Sequence, residues 1–288
     1  MSPLSLDPPT ALDYFASLVA EDRGFALLEA AIAVGQDEDP RLDPQSVLDE
    51  IDALAARLKR RIAADASGMQ RLRLLNHFFF AELGFAGNVN DYHDRRNSCL
   101  HHVLHTRRGI PITLALLYIE LANQAGLVAR GISFPMHFLV KLHMRQGEVV
   151  LDPFNGRSLT RDDLEERLAP YRRRLGLEGD FDVPLGLFLQ AAAPRDILAR
   201  LLFNLKEIHR TAEDWPRLLA VQRRLVLVLP DASEELRDLG LVKAELGQAA
   251  EAAADLEAYL DREPDAEDRL ALTERLAELR RSDPPHRA

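Results

Sequence analysis

Apolar positions recur at helical spacing from the start of the chain. Leu12, Phe15, Leu18 and Val19 share one face, and Val47, Ile51, Leu54, Ala55 and Leu58 share another, so residues 11–86 predict a run of amphipathic helices. Residues 36–44, Gln-Asp-Glu-Asp-Pro-Arg-Leu-Asp-Pro, interrupt them as an acidic, proline-punctuated loop. Residues 72–83 predict a helix whose Phe78, Phe79 and Phe80 belong to a core. Residues 84–90 break the period. Asn97-Ser98 then offer N-caps for a helix over 99–105, which Gly109 ends. Pro111 suits a first helical turn, where its missing N–H costs nothing. The helix that follows, 112–124, is apolar on nearly every face and predicts a buried central element, with Gly126 as its C-cap.

Beyond Gly126 the period shortens to two. Residues 128–134, 137–143 and 148–152 predict three strands, the last two joined by a tight connection at Arg145-Gln-Gly147. Thr160-Arg-Asp-Asp163 predicts a capping-box start for a helix through Leu168, with Asp163 in the place of the usual Glu or Gln. From about residue 190 the pattern is helical to the end. There Leu229-Pro-Asp231 returns as Glu263-Pro-Asp265, and Pro230 and Pro264 stand 34 residues apart, the period of tetratricopeptide (TPR) helical hairpins. Gly240, Gly247, Ala252 and Pro264 supply that repeat's small residues and terminating proline in the second copy. In the first copy Trp215 and Leu218 occupy positions where smaller residues are usual. Residues 1–10, with three prolines, predict a loose lead-in, and the tail from Ser282 a frayed end.

Composition narrows the class of function. A chain of 288 residues, 47% hydrophobic and 28% charged, is long enough for a sizeable core without disulfides or metals. Its one cysteine, Cys99, excludes an internal disulfide and favours a reducing compartment. The first residues lack the basic and apolar regions of a secretory signal, and no apolar run approaches the roughly 20 residues that span a bilayer. A cytoplasmic protein is expected. The formal charge is −10, and Arg71-Leu-Arg73, Arg95-Arg96, Arg107-Arg108 and Arg172-Arg-Arg174 are short, separate clusters. Neither nucleic acid nor a membrane is an expected partner, since both want a concentrated basic face.

Several motifs occur in order along the chain: Gly87-Asn-Val-Asn-Asp-Tyr92, Asn97-Ser98, Val103-Leu104, Arg108-Gly-Ile-Pro-Ile112, Phe134-Pro-Met-His-Phe138 and Asp152-Pro-Phe154. With them, roughly residues 10–265 resemble the SirB-one family of bacterial proteins. The resemblance implies an α+β fold in three parts. These are an N-terminal helical segment (1–86), a transglutaminase-like, papain-related core with a small antiparallel sheet (87–185), and a TPR-like helical region (186–288). In that core a cysteine opens the central helix, where the helix macrodipole lowers its pKa, and a His and an Asp lie on adjacent strands. The resemblance assigns the last two roles to His137 and Asp152. Gly126 and Arg130 match the pattern that closes the helix, and counting back puts Pro111 at the cysteine position, or Ile112 if the register slips by one. Neither can attack a carbonyl.

Four other groups compete for a chemical role. Thr113 is the nearest hydroxyl but lies inside the first helical turn. Cys99 precedes His137 by 38 residues and is the alternative nucleophile, although it belongs to the preceding helix and free cysteines are commonly small buried hydrophobes. His101, His102 and His105 share a helix face without the glutamate or further ligands of a metal site. Asp91, His93 and Asp94 lie in a loop shaped by Asn88 and Asn90. No metal and no cofactor is expected, and no glycine-rich nucleotide motif is present. The leading expectation is a catalytically inactive relative of the papain-like hydrolases acting as a protein-binding or regulatory module. Its pocket is expected around Pro111, Ile112, Thr113 and Pro135, beside a remnant His137–Asp152 pair. Its TPR-like helices would offer a groove for a partner protein or peptide. The alternative is a cysteine-type hydrolase or acyltransferase that acts on amides through His137, Asp152 and Cys99.

Overall fold

The computed structural model describes residues 9–21, 26–145, 147–177 and 183–282. The lead-in before residue 9 and the tail beyond Ser282 lie outside these residues, as does Gln146 of the hairpin connection. The chain forms two compact units, Ala26–Ile197 and Met1–Phe25 with Leu198–Ala288. In chain order, α1 (Ala11–Val19) belongs to the second unit. The first unit contains α2 (Leu27–Ala33), α3 (Pro44–Lys59), α4 (Gly68–Asn76), β1 (Ala86–Gly87), α5 (Leu100–Thr106), β2 (Arg108–Gly109) and α6 (Pro111–Gln124). It continues through β3 (Val128–Ile132), β4 (Leu139–Met144), β5 (Gly147–Asp152), β6 (Arg157–Leu159), α7 (Arg161–Leu175) and α8 (Leu185–Phe188). Then come α9 (Pro194–Thr211), α10 (Trp215–Val228), α11 (Ser233–Glu245), α12 (Ala249–Arg262) and α13 (Arg269–Ser282).

The first unit is organised around α6. Every residue from Pro111 to Tyr118 is buried, because α3, α4, α5, β3 and β4 all pack against this helix. That enclosure explains a sequence with no polar face. Asp43 and Pro44 start α3, with the Asp43 carboxylate accepting the Gln45 N–H, and Ser67 with Gln70 closes a capping box on α4. The helix read over 72–83 is α4 followed by a π turn, His77–Glu82. Its wider winding, with the Leu83 N–H bonded to the Phe78 carbonyl at 2.9 Å, buries both Phe78 and Phe79. Phe79 stacks on Phe85 at 4.4 Å between centroids and meets Tyr118 of α6 edge-on at 5.3 Å.

The four-stranded sheet is antiparallel in the order β3-β4-β5-β6. Val140 pairs with Gly131 on one side and Leu151 on the other. One face, with Ala129, Val140, Leu142 and Leu151, is fully buried. The alternate face, with Ile132, Leu139 and Val150, forms a cluster with Leu164 and Leu168 of α7 and Leu185 of α8. The three expected strands are present, β3 ending two residues early, β4 shifted to 139–144 and β5 starting one residue sooner, and β6 adds a fourth. The capping box on Thr160 and Asp163 is present, and α7 runs past Leu168 to Leu175. Two expectations are corrected. Asn97 and Ser98 do not cap α5: they end a 3-10 turn, Arg95–Ser98, which Asp94 caps, and Cys99 is the N-cap residue of α5. Gly109 does not end α5 either. Arg107 does so, in the left-handed conformation at φ 59°, and Gly109 pairs with Gly87 between β2 and β1.

In the second unit, Phe15 of α1 lies fully buried under the Arg224 guanidinium of α10, 4.6 Å from the ring centroid. Leu218 and Leu219 of α10 cluster with Leu239 and Val242 of α11. Gly240 lets α11 approach α12, since a Cβ there would sit 2.9 Å from Leu256 Cγ and 3.2 Å from the Ala252 carbonyl oxygen. α12 and α13 share a further cluster around Leu256, Leu272 and Leu276. The helical hairpins read from the repeat are therefore present. The units divide the chain at different points from 86/87 and 185/186. The apolar faces of α3 and α4 are buried on α6, while α1 pairs with α10.

Candidate functional site

The site assembles where β5 ends and the chain turns into β4. Phe134-Pro-Met-His137 is a tight turn, closed by the His137 N–H donating to the Phe134 carbonyl at 3.0 Å. Pro135 supplies the fixed φ of its second position. Met136 follows at φ 58° with its side chain 79% exposed. A large apolar residue held left-handed and displayed to solvent is an unusual expense of local strain. The turn sets His137 two residues before β4 rather than at its head, partly exposed.

Asp152, the last residue of β5, is 1% exposed and receives four bonds. His137 Nε2 lies 2.8 Å from Oδ1, and the Phe154 N–H donates to the same oxygen at 3.0 Å. Arg167 of α7 donates to Oδ2 at 2.9 Å, and the Asn155 side-chain amide reaches Oδ2 at 3.3 Å. Burial alone would push this carboxyl up. The bonds from His137, Arg167 and the Phe154 N–H outweigh it and hold the pKa below the ordinary aspartate value. An ionised Asp152 only accepts, so His137 Nε2 donates to it, and Nδ1 is the ring nitrogen left for another partner.

Phe154 connects this pair to the start of α6. Its ring meets His137 edge-on at 6.4 Å between centroids and lies 6.0 Å from Tyr92. Its carbonyl accepts the Gly87 N–H at 2.8 Å. Only glycine fits at 87, because a Cβ would run into the Phe154 ring. Gly87 pairs with Gly109, and the Gly109 carbonyl accepts the Asn88 N–H at 3.0 Å. The Asn88 side chain accepts the Asp91 N–H and donates to Asn97, whose amide bonds the Asp91 and Tyr92 carbonyls. Asn97 thus shares with Asn88 the loop-shaping role read from Asn88 and Asn90.

Pro111 is the first residue of α6 and is buried with Ile112 and Thr113. These three therefore do not line an open pocket, contrary to expectation, because β1, β2 and the 3-10 turn pack over this end of the helix. Pro135 is partly exposed in its turn. The Thr113 hydroxyl is committed to structure: it accepts the Ile110 N–H at 3.2 Å and lies 2.8 Å from the Asn97 carbonyl, to which it can donate. Cys99 is 1% exposed, with Sγ 3.8 Å from the Arg95 carbonyl. Burial, reinforced by the Glu38 carboxylate, pushes its thiol up to about 12. At neutral pH it is a protonated thiol, not the thiolate that nucleophilic attack requires. Burial also lowers the pKa of His101 and His102. Among the described residues no group of three or more His, Cys, Asp or Glu is placed to hold a metal ion. Nor is any helix among them long and apolar enough to cross a membrane.

Arg167 is the site residue that sequence reasoning missed. Its signal was present: with Leu164 and Leu168 facing the sheet, residue 167 flanks the buried stripe of a helix already expected there. What was absent was the register that brings α7 over the end of β5.

Comparison with known proteins bears on the family and the fold. A family model described as the transglutaminase-like superfamily matches residues 45–203, and a tetratricopeptide repeat model matches residues 205–277. A UPF0162 protein of Xylella fastidiosa is 35% identical over 245 residues, covering 85% of this chain and 86% of that protein. A UPF0162 protein of Pseudomonas aeruginosa is 32% identical over 256 residues, covering 88% and 91%. Protein SirB1 of Salmonella typhimurium is 27% identical over 231 residues, covering 78% and 82%. No solved structure matches the chain significantly. On these matches the chain belongs to the transglutaminase-like superfamily and to its family of UPF0162 and SirB1 proteins.

Proposed function

We propose that this protein is a catalytically inactive transglutaminase-like protein that works as a binding or regulatory module. The observation that carries the reading is the fate of the nucleophile. Pro111 opens the central helix, and the resemblance puts it, or Ile112 one residue on, at the cysteine position, while the chain's one cysteine is buried with its thiol pushed up to about 12. A His–Asp pair without a thiolate beside it lacks the attacking atom of acyl transfer. What remains at His137 is a partly exposed imidazole whose Nε2 is held by a buried carboxylate and whose ring meets Phe154 edge-on, which leaves Nδ1 for another partner. That arrangement suits holding a ligand or a partner's side chain.

The tetratricopeptide repeat region supports a protein or peptide as the partner, since repeats of this kind generally mediate protein–protein interaction. A lone cysteine with no disulfide partner supports a cytoplasmic location. The test pairs two measurements. Purified wild type and Cys99→Ser are assayed on amide and thioester substrates, and both are expected to stay at background. Tagged wild type, His137→Ala and a variant altered in the helical region are then compared for partner capture. Turnover that Cys99→Ser abolishes would establish the hydrolase reading instead. Capture by all three forms alike would remove both surfaces from the account.

A further inference from the structure

The second unit contains a cleft between α9, α10 and α11, of about 370 Å³. Trp215, Leu218, Leu241 and Val242 form its apolar walls, and the charged Lys206, Arg210, Asp238 and Glu245 line the rest. Gln222 also lines it and is fully buried. The Gln222 Nε2 donates to the Glu235 carbonyl at 2.7 Å and to Glu235 Oε2 at 2.6 Å. Both partners only accept, which fixes the orientation of the amide. Oε1 is left buried without a hydrogen-bond partner. Buried polar atoms normally have a partner, and one that lacks it in the lining of a cavity marks a place for a donor.

Charges around the cleft are already matched within the chain. Lys206 Nζ lies 2.6 Å from Glu235 and 2.7 Å from Asp238, Arg210 pairs with Glu207 at 2.8 Å, and Glu245 pairs with Arg275 at 3.2 Å. No unmatched charge in this set calls for an ionic ligand, and the walls favour an apolar one. We propose that this cleft binds an uncharged apolar residue of a partner polypeptide, whose main-chain N–H is donated to Gln222 Oε1. An apolar side chain and an amide donor a few ångströms apart are what one residue of a peptide presents. The proposal rests on the reading that the helical region binds a protein, and it names the chemistry of the contact.

The probe is N-acetyl-L-leucine N-methylamide, neutral and apolar with two amide donors, titrated into the full chain. Trp215 is the only tryptophan, so its fluorescence and its indole resonance report on the cleft directly. Saturable shifts at Trp215 and at the Gln222 side-chain amide are expected, with an affinity of about millimolar for so small a ligand. The analogue methylated on both amide nitrogens is expected to bind about fivefold more weakly, as it lacks the donor. Leu241→Trp, which fills the cleft without touching the Gln222–Glu235 bonds, is expected to abolish the shifts. No shift at either residue, equal binding of the methylated analogue, or unchanged binding by Leu241→Trp would each overturn the proposal. Partner capture by the wild type without fragment binding removes the cleft and leaves the broader reading standing. Fragment binding with no partner captured does the reverse.

Discussion

Asp152 is the residue on which the candidate site turns, since one buried carboxylate holds His137, Arg167 and the Phe154 N–H. Asp152→Asn keeps the shape and removes the charge, and is expected to cost about 2–3 kcal/mol at neutral pH, the range of bonds to charged groups. Its folded pKa lies below that of an unfolded aspartate, about 3.9. The stabilisation is therefore complete above that value and lost as pH falls through the folded pKa. Urea unfolding of wild type and variant should give the same difference at pH 7 and pH 5 and a shrinking one below about pH 4; a difference that survives into acid would refute the assignment. Met136 yields a second expectation. Met136→Gly releases the left-handed strain of an exposed side chain, a relief of about 1–2 kcal/mol, against about 0.5–1 kcal/mol of glycine entropy. Thermal stability should hold or rise slightly, and a clear fall would show that the side chain packs against something. Cys99 supplies a third: labelling of its buried thiol at pH 8 should be slow in the native protein and rapid in urea. At this scale the pairing of His137 and Asp152 was legible through the family resemblance, which implies a His and an Asp on adjacent strands. Arg167 was not, because its role depends on a contact between elements 15 residues apart.

Among the elements, α6 was the most readable and the most informative. Its mostly apolar sequence, its proline start and Gly126 just beyond its end, at φ 79°, all agree with a helix buried on every side from Pro111 to Tyr118. The first turn is held by Thr113, whose hydroxyl joins the Ile110 N–H to the Asn97 carbonyl in a fully buried setting. Thr113→Val leaves the Ile110 N–H and the Asn97 carbonyl without this partner, and is expected to cost about 1–3 kcal/mol. Thr113→Ser should stay close to wild type. A valine tolerated without loss in a denaturant titration would mean that the turn does not need the hydroxyl. Elements that escaped the sequence share a cause. β6 is three residues, Arg157-Ser-Leu159, too short to display an alternation, and it exists through its pairing with β5. The π turn at His77–Glu82 and the 3-10 turn at Arg95–Ser98 continue a helical pattern with altered winding, which periodicity does not resolve. The N-cap expected at Asn97 and Ser98 failed because the Asn97 amide is spent on the Asp91 and Tyr92 carbonyls.

The whole chain carries two kinds of candidate surface, one in each compact unit, and they make opposite demands on electrostatics. The repeat that defines the second unit was legible from Pro230 and Pro264, 34 residues apart. The placement of α1 against α10 was not, because no local pattern links Phe15 to Arg224. With a formal charge of −10, the molecule repels anionic surfaces at long range, and a partner drawn to it by charge alone would be basic. Such an association weakens steeply with salt, by about tenfold or more between 50 and 300 mM, because the attraction is screened within about 10 Å at 0.1 M. A partner seated in the α9–α11 cleft answers to different physics. Its walls are apolar and its Lys206, Arg210 and Glu245 are each paired inside the chain, so binding should follow buried apolar area, which salt does not weaken. Affinity for a captured partner should accordingly change by less than about threefold over that range, measured by calorimetry, and should fall with Leu241→Trp while His137→Ala leaves it intact. A steep salt dependence, or a partner lost with His137→Ala alone, would move the binding surface from the helical repeats to the first unit.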